Sequence, residues 1–184
     1  CSNLAAEPAV SAEVLDPAPI VRQTGSLRER ERGRTDAEFS IYYDAKVEAL
    51  GGDDGYCLRL SHVDFAIGYR SIRIFILDKY KPSSCEYKAI LDHESQHAEI
   101  FSRVLRRYGR LLEDELRIAA LNMRPLFAFE HERERANKTL GDFVRNNDRI
   151  AMLTDRIKKE LDDENAKLDT DEEYRKIQSR CKNW

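Results

Sequence analysis

One change of hydrophobic period, at Pro82, does most to limit what this chain can fold into. Upstream of it the period is two. Phe39, Ile41 and Tyr43 alternate with polar neighbours, as do Val63, Phe65 and Ile67, and then Ile72, Ile74 and Ile76. Such alternation puts one set of side chains on one face of a strand. The run GGDDG at 51–55 carries the strongest turn chemistry in the chain, and residues 68–71 offer a second reversal. Together these predict a three-stranded antiparallel meander across residues 38–80. Downstream the spacing turns helical: Ile90, His97, Phe101, Val104, Tyr108 and Leu111 form one stripe, with Ile100 and Leu112 beside it. Ser83 and Glu86 supply a capping box at its start, and Pro125 lies past an end near Leu121. Phe143, Ile150, Leu153, Ile157 and Leu161 mark a second amphipathic helix. Thr170 and Glu173 then open a short terminal one through Tyr174 and Ile177. Strands followed by helices predict an α+β fold: a short antiparallel sheet of about three strands, a long helix and two further helices.

The 184 residues, 41% hydrophobic and 35% charged, suit one domain with a core and some unstructured length. A formal net charge of -3 gives no whole-protein attraction for nucleic acid, so that partner class is set aside. No apolar run reaches the roughly 18 residues that would span a bilayer. The first stretch, CSNLAAEPAVSAEVLDPAPIVRQTGS, is rich in Ala, Pro, Ser and Val without clear periodicity. It reads as a disordered tether over residues 1–35, with a domain over 36–184 and an r.m.s. tether span of roughly 30 Å. The tether's arginine-rich end is a solvated arm or a weak attractor of anionic headgroups.

Within the long helix, ILDHESQHAEIFSRV contains His93-Glu94-Ser95-Gln96-His97, an H-E-x-x-H sequence. Positions four apart lie one helical turn above each other, so both imidazoles can address one Zn2+ ion with bonds of about 2.0–2.1 Å. Glu94, one position round the helix, can stand beside the metal without ligating it and act as general base. The competing reading is a pair of hydrogen-bonded core histidines. A third ligand is open. Glu113 and Glu115 lie up the same helix unless Gly109 breaks it. The segment FAFEHERERAN offers Glu130, His131, Glu132 and Glu134, of which His131 is preferred as ligand. Tyr174 or His62 could supply an oxyanion donor, and Asp92 could orient an imidazole or simply meet the helix dipole. The acidic stretch KKELDDENAKLDTDEE reads as a solvated helix and turn.

On its H-E-x-x-H helix the chain resembles the zincin metallopeptidases. More narrowly, GYCLRL, IFIL and SSCEYKAILDHESQHAEI look like segments of a set of bacterial envelope proteins thought to be zinc-dependent proteases; the likeness covers residues 38 to about 112. It implies one zinc ion on His93 and His97, Glu94 as base, and a peptide or protein substrate laid along the strand before the helix. Ile100 and Arg103 stand where the metzincin pattern needs glycine and histidine, which removes that subclass. Cys1-Ser2-Asn3 resembles the start of a mature bacterial lipoprotein, implying a lipidated Cys1 and a periplasmic, membrane-anchored domain. Of the other thiols, Cys57 with Cys85 is the preferred disulfide, Cys85 with Cys181 the rival, and four reduced cysteines in a cytosolic protein the plain alternative. The functional expectation is zinc-dependent peptide hydrolysis in the envelope. Its rival is a non-catalytic envelope lipoprotein whose metal site is structural or vestigial and whose helices bind a partner.

Overall fold

The computed structural model describes residues 1, 7–15, 19–28, 31–52, 54–182 and 184. Strands β1 (Ala9–Val14), β2 (Ile20–Gly25), β3 (Gly33–Gly52) and β4 (Gly55–Leu77) precede helix α1 (Cys85–Leu121). A short β5 (Leu126–Ala128) and a 3-10 turn (Glu130–Glu132) lead into α2 (Arg133–Gly141), α3 (Asp148–Leu168) and α4 (Asp171–Ser179).

The α+β class stands, but the sheet is not the short antiparallel meander the sequence suggested. It has five strands, and β1 and β2 both run parallel to β4. Val10 pairs with Val63, Ile20 with Ile72, and β5 pairs antiparallel with Tyr56, Cys57 and Leu58. Residues 9–14 and 20–25, read as tether, are therefore strands. The other residues of that stretch at 2–6, 16–18 and 29–30 lie outside those described. β3 pairs with β4.

The second turn, expected at residues 68–71, does not form. β4 runs through it as one strand of 23 residues. What the sequence displayed there is a slip of phase: Val63, Phe65, Ile67 and Tyr69 are buried, then Ile72, Ile74 and Ile76. An extra residue in a strand produces that shift without reversing the chain. Gly68 has φ +153°, a conformation other residues rarely adopt, and a Cβ there would stand 3.1 Å from Leu15 Cβ. Gly109 does not break α1 either; Val14 packs where its side chain would be. The cap of α1 is Ser84, one residue later than expected, its Oγ accepting from the Tyr87 N–H.

Two compact units can be distinguished. The first comprises residues 1–14, 41–67 and 109–155. Its core gathers Leu58, Ala128 and Leu140 against Val47, Tyr56 and Met123, and Tyr43, Phe65 and Phe143 meet in a triangle of rings. The second comprises residues 15–40, 68–108 and 156–184. There Phe39, Tyr69 and Phe101 stack edge to face, and Arg103 and Arg107 of α1 pair with Glu164 and Glu160 of α3.

Each unit carries one disulfide, Cys1–Cys57 in the first and Cys85–Cys181 in the second. The preferred Cys57–Cys85 pairing is thus replaced, and its rival is present. A lipid on Cys1 leaves Cys57 without this partner, which is why the sequence reading does not pair them. The Cys1 sulfur that the expectation gave to a lipid thioether is here bonded to Cys57. No described helix is long and apolar enough to cross a membrane.

Candidate metal centre

The second unit brings three segments together around the start of α1. Helix α1 presents His93, Glu94 and His97, each only 6–7% exposed. The start of β3 lies over Glu94, and the junction of α3 with α4 faces the two histidines. That junction is built locally. The Asp169 N–H still bonds the Asn165 carbonyl in helical fashion, and Thr170 then caps α4 by accepting from the Glu173 N–H. Asp169 is therefore held where one helix hands over to the next.

Three donor atoms converge. His93 Nε2 and His97 Nε2 lie 3.2 Å apart, and Asp169 Oδ1 is 3.4 Å from the first and 3.3 Å from the second. Ligand atoms around a tetrahedral zinc with bonds of 2.0–2.1 Å stand about 3.3–3.4 Å from each other. The triangle has the edge length of one face of that tetrahedron, so the residues present fit a zinc ion with the fourth corner left over. Among the described residues this is the group of His, Cys, Asp and Glu whose spacing could hold a metal ion.

The tautomer of His97 follows from its outer partner. Its Nδ1 is 2.6 Å from Asn165 Oδ1, and the Asn165 amide nitrogen donates to the Leu161 carbonyl at 2.7 Å. With its nitrogen so used, the asparagine turns its oxygen to the imidazole and accepts from Nδ1–H. The Nε2 lone pair is then directed at the triangle. Burial, followed by the neighbouring His97, pushes the His93 imidazole below its ordinary value and favours the neutral ligating form.

Glu94 stands beside the triangle without belonging to it. Thr35 donates its hydroxyl to Glu94 Oε2 at 2.7 Å. Oε1 faces Gly33, where a Cβ would sit only 2.5 Å from that oxygen. Burial raises the Glu94 carboxyl above its usual range, opposed by the Thr35 hydrogen bond. That shift suits a proton acceptor. Tyr174, expected to reach an oxyanion, lies with its ring 5.6 Å from that of His93 and its hydroxyl 3.0 Å from Asp169 Oδ1. Burial and that hydrogen bond push the phenol up to about 12. Its proton is engaged by the same oxygen that faces the histidines. His93, Glu94 and Tyr174 also line a cleft of about 370 Å³.

The remaining candidates are elsewhere. His131 belongs to the first unit, stacked on Phe129 with ring centroids 5.9 Å apart, and is not in the donor group. Glu113 pairs with Arg117, Glu115 with Arg149, and Glu132 accepts from the Phe129 N–H. Glu130 hydrogen-bonds Tyr56, and Glu134 sits in the first turn of α2. His62 pairs with Asp64 at 2.8 Å on β4, and Asp92 faces Arg180. Sequence reasoning missed Asp169, Asn165 and Thr35. The first two were legible: Ile157 and Leu161 set an inward stripe four residues apart, and Asn165 and Asp169 continue it with polar atoms. Thr35 carried no signal, since its role depends on a residue 59 positions away.

Compared with family models, curated proteins and solved structures, the chain shows no significant match to any of them.

Proposed function

We propose that this protein is a zinc-dependent hydrolase acting on peptide bonds, with His93, His97 and Asp169 as ligands and Glu94 as general base. The observation that carries this reading is the triangle of donor atoms, 3.2–3.4 Å on each edge, with an unligating carboxylate next to it at the wall of a cleft. Zinc held by these residues would supply Lewis acidity toward a substrate carbonyl and toward the attacking water. The chain's own contribution is positional. Asn165 keeps the His97 lone pair aimed inward, Tyr174 steadies Asp169 Oδ1, and Thr35 holds one oxygen of Glu94. Glu94 takes a proton from the attacking water and passes it to the leaving nitrogen, so it ends the cycle ionised. The two disulfides accord with an oxidising compartment such as the bacterial envelope.

The test separates metal binding from catalysis. Glu94→Gln should retain its zinc and lose at least about 100-fold in turnover, the lower end of what a general base contributes. Asp169→Ala should lose zinc measured by elemental analysis, and His131→Ala should keep it. Full activity in the Glu94 variant, or full zinc in the Asp169 variant, would sink the assignment.

A further inference from the structure

We propose that the cleft beside the metal centre recognises a carboxylate on the bound peptide, with the Arg32 guanidinium as its anchor and the Trp184 ring as the wall that aims it. The proposal rests on the hydrolase reading for the peptide's fate and not for its binding.

The cleft is lined by the apolar side chains of Ile90, Ile177 and Trp184 and by the charged Glu31 and Arg32. Its volume of about 370 Å³ is that of a small-ligand site. Of the two charges, Glu31 is already engaged, accepting from the Arg28 N–H at 3.3 Å and facing Arg34 at 3.7 Å. Arg32 is not. Among the described residues it has no carboxylate within ion-pair distance, and its side chain lies over Trp184, 5.0 Å from guanidinium carbon to ring centroid.

Both partners are held. The Arg32 carbonyl accepts from the Leu77 N–H at 2.9 Å, which ties its backbone to the sheet. Trp184 Nε1–H donates to the Gln178 and Cys181 carbonyls at 2.7 and 3.0 Å, and the ring meets Tyr80 edge-on at 6.2 Å. Cys181 is in turn bonded to Cys85 at the start of α1. A guanidinium held over an aromatic face by the ring's quadrupole still has five N–H donors with which to grip a carboxylate in bidentate fashion. Arg32 is followed directly by Gly33, which packs on Glu94. A carboxylate gripped by Arg32 is thus held in the same cleft that Glu94 lines.

The chain contains a single tryptophan, so its emission reports on this cleft alone. Zinc-loaded full-length protein carrying Glu94→Gln is titrated with three peptides: acetyl-Ala-Glu-Ala-amide, the neutral acetyl-Ala-Gln-Ala-amide, and acetyl-Ala-Gln-Ala with a free terminal carboxylate. We expect at least one carboxylate peptide to change Trp184 emission saturably, with Kd tenfold or more below that of the neutral amide. Which of them does so tells a side-chain acid from a chain terminus. In the same background Arg32→Gln should remove the preference, and Arg32→Lys, which keeps the charge but not the fork, should restore part of it. Equal affinity for all three peptides, no response to any, or a preference that survives Arg32→Gln overturns the proposal. Failure of the zinc-loaded wild type to cleave the preferred peptide, with the emission change intact, refutes the hydrolase reading and leaves the anchor standing.

Discussion

Asn165 offers the sharpest quantitative check on the metal centre, because it touches the triangle only through His97. Its oxygen accepts from His97 Nδ1–H at 2.6 Å, and His97 is buried. In Asn165→Ala the imidazole must either leave Nδ1–H without a partner or move the proton to Nε2, which removes the inward lone pair. An unsatisfied buried donor costs about 1–3 kcal/mol. At about 1.4 kcal/mol per tenfold this is roughly 5- to 150-fold in zinc affinity, which brackets the loss of about 10- to 100-fold typical of a severed outer partner. The helix itself does not suffer, since alanine is the better helix former. Competition against a chromophoric chelator near neutral pH measures the effect directly. Asn165→Asp, which keeps an acceptor at that place, should stay within a few-fold of the wild type. An alanine variant with wild-type affinity, or an aspartate variant as weak as the alanine one, would refute the account of how His97 is oriented.

Two further outcomes follow from the same geometry. Gly33→Ala places a methyl group 2.5 Å from both Glu94 Oε1 and Ile90 Cγ2; overpacking of that kind costs about 1–3 kcal/mol, and the variant should melt earlier and lose turnover while keeping its zinc. Breaking Cys85–Cys181, which closes a separation of 96 residues, should remove about 5 kcal/mol of stability in the chain-entropy model, read as a fall in the denaturant midpoint of Cys181→Ser. A midpoint unmoved by the substitution would show that this disulfide does not constrain the unfolded chain.

What the sequence alone determined is whatever repeats within a few residues. The period of two around Val63 and Ile74, the helical stripe through Ile90 and Val104, and the pairing of His93 with His97 one turn apart are all local, because strand and helix geometry fix which neighbours share a face. The tertiary structure decided what joins distant segments. β1 and β2 were invisible as sheet members because a parallel partner is not announced by an adjoining turn; Val10 finds Val63 only once the chain has folded back. Gly68 looked like a turn for a related reason: a glycine that reverses a chain and one that lets a strand take a φ of +153° are the same letter. The third donor followed the same rule. His131 drew attention as an imidazole in a charged segment, yet the first unit holds it on Phe129. Asp169 lay in a stretch that read as solvated, and only the packing of α3 against α1 set its oxygen 3.3 Å from His97 Nε2. A coordination shell is a statement about distance in space, and only the half of it carried on one helix turn can be read along the chain.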